Sequence, residues 1–389
     1  MRVLLALFLL FGFGQAVHLN QSAAQVVQWE FQNTTALATP FDLAFSNGTT
    51  AAQRRLQKKQ PAKKNTCAGL PKSHRSQNVI SIRRRGRVRQ YRIITPPKYN
   101  SRVRSKVILY FHGLGETSSS FANDAPWAQA AARNNYIVVA PDGIQRSWQF
   151  PGSADGRGRD GSITTCDTNR AGPNKCFAGC SCPKRCGWTQ CQDDDLLFVL
   201  DLIRDIRKRI CVDNKRIYAV GISNGAMLTW SMAQDPKIAP RLAGIAPMIG
   251  TPHPDYLQGK PTAKALPSIG FYGDRDNVIP PGNYQESRVM DTAFGGYYWI
   301  PAHRLHTQWA RDHGCSTPNP NARAPFVYRS GNQQGISVQC RTFCQGNKPM
   351  SVDCRLSMGH ETPAFMLTMA IEFFEKHSPR RNRNAVTTQ

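Results

Sequence analysis

The sequence predicts an α/β fold, in which a mostly parallel central sheet is flanked by helices. Short apolar runs that end in glycine turns, such as Val107–Phe111 before "HGLG", are typical of strands buried on both faces of such a sheet. Amphipathic segments separate these runs, and the clearest of them spans 193–210. Alternation of buried strands with amphipathic helices favours a parallel sheet.

The elements are predicted in chain order from residue 78. Residues 78–100 alternate and end at Pro96-Pro97, which predicts a hairpin of strands with basic outward faces. The helix at 193–210 carries acidic residues in its first turn and basic residues in its last, as the helix dipole favours. Further strands are predicted at 107–111, at 134–143, before Gly221, at 242–250 and from Leu266, and a last helix at 364–377.

Residues 1–16 have the pattern of a signal peptide. Arg2 precedes an apolar run from Val3 to Phe13, and the small residues Gly14 and Ala16 follow. An anchor helix is the alternative, but the run is shorter than the roughly 20 residues that a membrane span needs. The sequence therefore predicts a secreted, extracellular protein without a membrane span.

Residues 17–75 predict a flexible, basic arm, since they are rich in Gln, Ala, Thr, Asn and Lys and show little periodicity. This arm is a candidate pro-region, and an unprocessed linker is the alternative. A catalytic domain is expected at 76–378 and a basic disordered tail at 379–389. The arm contains the glycosylation sequons at Asn20, Asn33 and Asn47 and the dibasic pairs Arg54-Arg55, Lys58-Lys59 and Lys63-Lys64.

The 12 cysteines favour disulfide bridges, because a secreted chain matures in an oxidising compartment. Six of them lie between Cys166 and Cys191, within a predicted cysteine-rich insertion at 149–192. A zinc module is the competing interpretation, since Cys180, Cys182 and Cys186 are closely spaced. No histidine lies inside the cluster, so we expect bridges of unknown connectivity and no metal.

The net charge of +25 is unevenly distributed. Residues 43–115 contain eighteen Lys and Arg but no Asp or Glu. Such a surface attracts polyanions such as acidic polysaccharide, although a merely solvated basic surface is equally compatible. No nucleic-acid-binding motif with interleaved aromatic residues is present, so no nucleic-acid partner is expected.

Ser223 lies in "GISNG", between a predicted strand and a predicted helix. This context is typical of a nucleophile elbow, in which Gly221 and Gly225 permit a sharp turn and close helix packing. A serine nucleophile needs a base and an acid that orients the base. Downstream, "GDRDNVIP" offers Asp274 and Asp276, of which Asp276 is preferred because "NVIP" can hold its loop on the core, and His360 precedes the last helix.

Two backbone N–H groups are expected to form an oxyanion hole, those of Leu114 and Asn224. The other histidines are interpreted as ordinary residues. His112 is assigned to the oxyanion loop, His253 and His303 to surface loops, and His306 and His313 to a helical region.

Several motifs together resemble the secreted feruloyl esterase and polyhydroxybutyrate depolymerase family of α/β-hydrolases. The resemblance covers about residues 87–377, and it implies a triad of Ser223, Asp276 and His360 that needs no metal or organic cofactor. It rests on "KVILYFHGLGE", "VVAPDG" with Trp148 after it, "VDNKRIYAVGISNGAMLTW", "YGDRDNVIP", "WARDHGC" and "MGH".

The chain departs from the family pattern near the substrate. Tyr272 stands where the family usually has a His, and "ETP" follows His360 where an aromatic-proline pair is common. His112, Trp148 and Tyr272 are therefore candidate substrate-binding residues, and the cysteine-rich insertion is a candidate lid or rim.

The sequence thus predicts a secreted, monomeric serine esterase that acts on ester-bearing polymer, most specifically a feruloyl or acetyl esterase of plant cell-wall polysaccharide. A polyester depolymerase and a serine peptidase on the same fold are the enzyme alternatives. A non-catalytic polyanion-binding secreted protein is the alternative of another class.

Overall fold

The computed structural model describes Cys67, Leu70 and residues 79–377, except 159–160, 162–164, 170–176, 182–185, 259–265, 284–287, 291–295, 316–325 and 345–350. The predicted signal peptide at 1–16, the three sequons, the dibasic pairs and the tail at 379–389 lie outside the described residues. No helix within the described ranges is long and apolar enough to cross a membrane.

A ten-stranded mixed sheet forms the centre of the described domain. The strands are β1 (Val79–Arg84), β2 (Arg87–Ile94), β3 (Ser105–Phe111), β4 (Tyr136–Pro141), β5 (Val212–Ile222), β6 (Gly244–Met248), β7 (Ser268–Gly273), β8 (Val289–Met290), β9 (Tyr298–Trp299), β10 (Phe326–Gln333), β11 (Ile336–Thr342) and β12 (Ser351–Leu356). The helices are α1 (Ser118–Asn123), α2 (Ala125–Arg133), α3 (Asp195–Arg209), α4 (Asn224–Gln234), α5 (Ala302–Asp312) and α6 (Phe365–His377).

The strand order is β1-β2-β4-β3-β5-β6-β7-β12-β11-β10, and β8 pairs with β9 in a separate ribbon. The six strands from β4 to β12 run parallel, whereas both ends of the sheet are antiparallel. The predicted mostly parallel sheet is therefore confirmed. Neither the β10–β11 hairpin nor β12 was predicted from the sequence.

Helices cover both faces of the sheet. Along β3, Val107 and Leu109 pack into a cluster with residues of α3, α4 and α5, whereas Ile108 and Tyr110 pack on the opposite face with α1, α2 and α6. Because the central strands are buried on both faces, they appear in the sequence as unbroken apolar runs rather than as an alternating pattern. This double burial is why the parallel strands were predictable.

The basic hairpin β1–β2 is present, but its predicted outward-facing charge is partly wrong. The side chains of Arg84 and Arg89 are buried. Arg89 donates to Asp193 at 2.9 Å and to Asp195 at 2.7 Å, and Arg84 donates to Asp193 at 3.2 Å. Two of the arginines therefore neutralise the acidic start of α3 inside the protein.

Five disulfides join ten of the cysteines, as the bridge interpretation predicts: Cys67–Cys211, Cys166–Cys186, Cys180–Cys191, Cys315–Cys344 and Cys340–Cys354. Cys180 and Cys186 are therefore not zinc ligands, because a disulfide sulfur is not a thiolate. Cys176 and Cys182 lie outside the described residues.

The bridge at Cys67 also corrects the predicted extent of the arm at 17–75. Cys67 is buried and joined to Cys211, which directly precedes β5. A long closed loop of this kind restricts the unfolded chain strongly, so the bridge contributes to stability. The compact domain therefore begins no later than residue 67.

Replacing the buried carboxylate of Asp195 tests the internal ion pairs. Asp195 also accepts hydrogen bonds from Gln149 N and Gln190 Nε2, both at 2.7 Å. Since Asp195→Asn leaves the buried Arg89 guanidinium with one carboxylate fewer, we expect the free energy of unfolding in urea to fall by about 3 kcal/mol.

The matched control is Glu372→Gln, which breaks the exposed pair of Arg329 and Glu372. This change should cost less than about 1 kcal/mol, because solvent screens an exposed pair. Equal losses in the two variants would contradict the assignment.

Candidate active site

Ser223 occupies a strained turn at the carboxyl end of β5. Its backbone has φ 51° and ψ −114°, a combination that residues with a side chain rarely adopt. Its N–H donates to Met248 O on β6 at 2.8 Å, which fixes the turn against the next strand. The helix α4 begins at the following residue, so the strand-turn-helix context that the sequence predicts for Ser223 is present.

The two glycines of "GISNG" are required by close packing. A Cβ at Gly221 would lie 2.1 Å from Gly225 O, and a Cβ at Gly225 would lie 2.2 Å from Phe111 O. Any larger residue would push α4 away from β3 and β5. Glycine therefore permits the approach of the helix that sets the position of Ser223.

The structure brings Ser223, His360 and Asp276 into one hydrogen-bonded line. His360 Nε2 lies 3.0 Å from Ser223 Oγ, and His360 Nδ1 lies 2.7 Å from Asp276 Oδ2. These distances suit a neutral imidazole that donates from Nδ1 to the carboxylate and accepts the serine proton at Nε2. Ser223 follows β5, Asp276 follows β7 and His360 follows β12; β7 and β12 are adjacent, and β6 lies between β5 and β7.

Asp276 is held by the loop that follows it. Its Oδ1 accepts from Val278 N at 2.8 Å and from Ile279 N at 2.9 Å, and the side chain is buried. Asp274, the alternative acid, instead lies 3.8 Å from Arg355. The preference for Asp276 over Asp274 agrees with this geometry.

Leu114 lies beside Ser223, on the loop after β3. The side chain is 45% exposed and lines the same cavity as Ser223 and His360. Gly113 N donates to Glu116 Oε2 at 3.0 Å and Gly115 N donates to Arg146 O at 2.8 Å, so the loop is held on both sides of Leu114. This position is compatible with the predicted role of the Leu114 N–H.

The side chain of Asn224 has a structural use that the sequence analysis did not anticipate. It is fully buried, its Oδ1 accepts from Trp148 N at 2.6 Å, and its Nδ2 donates to Trp148 O at 2.9 Å. The carboxamide thereby ties the first turn of α4 to the loop after β4. The backbone N–H of Asn224 remains at the helix N-terminus, where developing negative charge is stabilised.

His112 and Trp148 are buried supports rather than substrate contacts, which corrects the sequence prediction. Both side chains are inaccessible to solvent. Trp148 Nε1 donates to His112 O at 2.9 Å, and His112 Nε2 accepts from Gly143 N at 3.0 Å. Both residues therefore support the loop that carries Leu114 from its buried side.

Tyr272 is also a buried structural residue, so the third substrate-binding candidate is wrong. Its hydroxyl lies 3.1 Å from His306 Nε2, and His306 Nδ1 lies 2.8 Å from Ser351 Oγ. Burial lowers the pKa of His306 to about 4, so the ring is neutral at physiological pH. This network joins β7, α5 and β12 beneath the site.

Apart from Leu114, Ser223 and His360, the residues that line the cavity above Ser223 were not selected from the sequence. Its volume is about 630 Å³. Aromatic and branched side chains from four separate segments dominate its lining: Phe177, Trp188, Val278, Ile279, Tyr297 and Trp299. The aromatic density of "GYYWIP" and the lone Trp188 of the cysteine-rich insertion were the available signals.

His253 fixes the aromatic wall of this cavity. It is fully buried and stacks on Trp299 with a centroid distance of 4.4 Å and an interplanar angle of 12°. Trp188 Nε1 donates to His253 Nε2 at 3.0 Å, so Nδ1 carries the proton and donates to Tyr298 O at 2.8 Å. The assignment of His253 and His303 to surface loops is therefore wrong, since His303 is a buried residue of α5.

Comparisons with known proteins give relatives of low identity, and no protein-family model matches the chain. The chain is 25% identical over 241 residues to "Feruloyl esterase B" of Piromyces equi, which covers 60% of this chain and 36% of that protein. It is 23% identical over 254 residues to "Bifunctional acetylxylan esterase/xylanase XynS20E" of Neocallimastix patriciarum, with 64% and 30% covered. These relatives confirm the predicted resemblance to feruloyl esterases.

In the residues that the structure describes, the chain has an α/β fold with a mostly parallel central sheet. It spans about a third of the length of the two curated relatives. Among solved structures, "Acetyl xylan esterase from Aspergillus awamori" superposes with a TM-score of 0.47 at 14% identity, over 74% of this chain and 94% of that one.

The buried His253 predicts a loss of stability in acid. Burial lowers its pKa to about 3, below the roughly 6.5 of an unfolded chain. Between these values the unfolded chain binds a proton that the folded chain excludes, so the free energy of unfolding falls as the pH falls. The contribution of one such group is about 1.4 kcal/mol per pH unit.

We expect the variant His253→Gln to show a shallower dependence of unfolding free energy on pH between about 6 and 4. Urea titrations at several pH values measure this slope for both proteins. A variant that is destabilised equally at every pH would contradict the prediction.

Proposed function

We propose that the chain is a serine carboxylic-ester hydrolase. The proposal is carried by the hydrogen-bonded line from Ser223 through His360 to Asp276 at the base of an apolar cavity. The names of both curated relatives include an esterase activity, which supports the proposal.

The geometry supports a two-step acyl transfer. Ser223 Oγ attacks the ester carbonyl carbon while His360 Nε2 takes the hydroxyl proton, and Asp276 stabilises the imidazolium that forms. The amides of Leu114 and Asn224 donate to the developing oxyanion. When the intermediate collapses, His360 returns the proton to the departing alcohol, and an acyl-serine remains.

Water then completes the cycle. His360 takes a proton from the water as its oxygen attacks the acyl carbon, and the second tetrahedral intermediate releases the carboxylic acid. The proton returns to Ser223 Oγ, so the enzyme is regenerated. Each proton in both steps passes through His360. The mechanism therefore depends on the 3.0 Å distance between His360 Nε2 and Ser223 Oγ.

The lining of the cavity favours an aromatic acyl group such as feruloyl over acetyl. Trp188, Tyr297 and Trp299 each expose less than a tenth of their surface, so they offer flat apolar walls inside the cavity. A flat ring gains contact area with such walls, whereas an acetyl group would leave most of the volume unfilled. A feruloyl ester of plant cell-wall polysaccharide is thus the best-supported substrate class.

The predicted signal peptide and the five disulfides support an extracellular place of action. Cell-wall polymers lie outside the cell, so an enzyme that cleaves them must be secreted. The exposed residues Arg83, Arg85 and Arg87 of the β1–β2 hairpin would hold such an enzyme near acidic polymer.

A polyester depolymerase is the second candidate. The observation that favours it is the exposed side chain of Leu114 at the mouth of the apolar cavity, where a polymer chain could rest. Release of soluble acid from a polyhydroxybutyrate film distinguishes this activity from release of ferulate.

Removing the nucleophile tests the proposed chemistry. We expect Ser223→Ala to reduce kcat/KM for p-nitrophenyl butyrate and methyl ferulate by at least about a thousandfold, because the variant lacks the hydroxyl that lies 3.0 Å from His360 Nε2. The control is Ser231→Ala, since the Ser231 hydroxyl bonds Met227 O inside the same helix. Equal activity of the Ser223 and Ser231 variants would refute the proposal and favour the non-catalytic alternative.

Shortening an aromatic wall tests the acyl preference. Trp188→Leu should reduce kcat/KM for methyl ferulate about tenfold, because stacking and buried apolar area are lost. Hydrolysis of p-nitrophenyl acetate should change much less, since an acetyl group does not reach this wall. A parallel loss on both esters would mean that Trp188 supports the fold rather than the acyl group.

A further inference from the structure

Arg146 lies at the mouth of the cavity, and no acidic residue among those that the structure describes pairs with it. Arg146 is exposed and lines the cavity together with Leu114, Ser223 and His360. Within the described residues its side chain makes no ion pair or hydrogen bond. None of the cavity-lining residues in this part of the chain is Asp or Glu. Among the described lining residues, Arg146 is therefore a cation without a facing carboxylate, and it lies in the same cavity as Ser223 and His360.

The backbone that carries Arg146 is strained. Gln145 has φ 52° and Arg146 has φ 58°, so two consecutive residues with side chains adopt the left-handed region. This conformation is unfavourable for a residue with a side chain and persists only where the surroundings enforce it. In an exposed loop without such constraints, glycine would be expected at one of the two positions, because glycine adopts a positive φ without strain.

Contacts on both sides enforce the conformation. Gly115 N donates to Arg146 O at 2.8 Å, and Arg146 N donates to Gly143 O at 3.1 Å. Ser147 Oγ accepts from Gln190 N at 2.9 Å, and Gln145 Nε2 donates to Ala178 O at 3.4 Å, both in the cysteine-rich insertion. Arg146 is therefore fixed to the oxyanion loop on one side and to the insertion on the other.

The cavity divides into an enclosed part and an open part. The enclosed part is aromatic, with Trp188, Tyr297 and Trp299 almost buried, whereas Leu114, Gln145 and Arg146 are exposed. The alcohol portion of a polymer ester continues into a long chain, which an enclosed cavity cannot hold. The alcohol portion must therefore leave through the open part, past Arg146.

We propose that Arg146 is a specificity-determining residue that binds a carboxylate on the alcohol portion of the ester. The chemical class of substrate is an ester with an aromatic acyl group, such as feruloyl or caffeoyl, whose alcohol portion bears an acidic group, as a uronate or another hydroxy acid does. A guanidinium recognises carboxylate through paired N–H donors, which makes the contact selective as well as attractive. This inference rests on the proposed esterase function.

The experiment compares two esters that differ only in this charge. Chlorogenate, a caffeoyl ester of a hydroxy acid, carries a free carboxylate on its alcohol portion, and its methyl ester is the neutral counterpart. Release of caffeate is measured for the wild type, Arg146→Gln, Arg146→Lys and Arg102→Gln. Arg102 is an exposed arginine before the amino end of β3, whereas the site lies beyond the carboxyl end of that strand. Its variant therefore removes the same charge far from the site.

We expect Arg146→Gln to reduce kcat/KM for chlorogenate about tenfold, mainly through KM, and to leave the methyl ester almost unchanged. Arg146→Lys should recover part of the preference, and Arg102→Gln should have no effect on the ratio. The preference of the wild type should shrink as salt is raised, because the arginine is exposed to solvent.

Three outcomes would overturn the inference. Unchanged kcat/KM values for both esters in Arg146→Gln would mean that the arginine does not contact the alcohol portion. An equal loss on both esters means that Arg146 acts only by holding the oxyanion loop, and an equal shift in Arg102→Gln means that net charge alone attracts the anion. Failure of the wild type to cleave even the neutral ester would instead refute the proposed function.

Discussion

The position of the Ser223 backbone is the constraint on which the rest of the structure depends. The strained turn is possible because Gly221 and Gly225 let the start of α4 touch β3 and β5 at distances that no Cβ would tolerate. Once α4 is seated, the carboxamide of Asn224 captures both backbone groups of Trp148. Trp148 in turn supports the carbonyl of His112, from which the oxyanion loop departs. The close approach of α4 to β3 and β5 therefore positions the Ser223 turn, the helix α4 and the loops after β3 and β4.

The central fold was predictable because its signals are local. A strand buried on both faces is typically an unbroken apolar run, and Ser223 and Asp276 each follow such a run. His360 instead follows β12, whose sequence includes Ser351, Asp353 and Arg355 and gives no such signal. The β10–β11 hairpin carries charged and polar residues on an exposed sheet edge, so its alternation is weak. The cavity could not be predicted, because Phe177, Trp188, Ile279 and Trp299 meet only through the tertiary fold.

Burial explains the errors among the candidate residues. Trp148, His112 and Tyr272 stand at positions that the family resemblance associates with the site, and they do support it, but from behind the first layer of side chains. His253 was assigned to a surface loop from the sequence, and its burial contradicts that assignment. The loop instead folds between two tryptophans, where a neutral imidazole provides both an acceptor and a donor.

The disulfide bridge between Cys67 and Cys211 lies downstream of the dibasic pairs of the candidate pro-region. Cys211 precedes β5 whereas Ser223 follows it, so the bridge and the serine lie at opposite ends of this strand. The pairs Arg54-Arg55, Lys58-Lys59 and Lys63-Lys64 all precede Cys67. A trypsin-like processing protease that cuts at any of these pairs would detach everything upstream and leave the covalent tie intact. Cleavage at any of these pairs would therefore leave Ser223 and the bridge between Cys67 and Cys211 on one continuous chain.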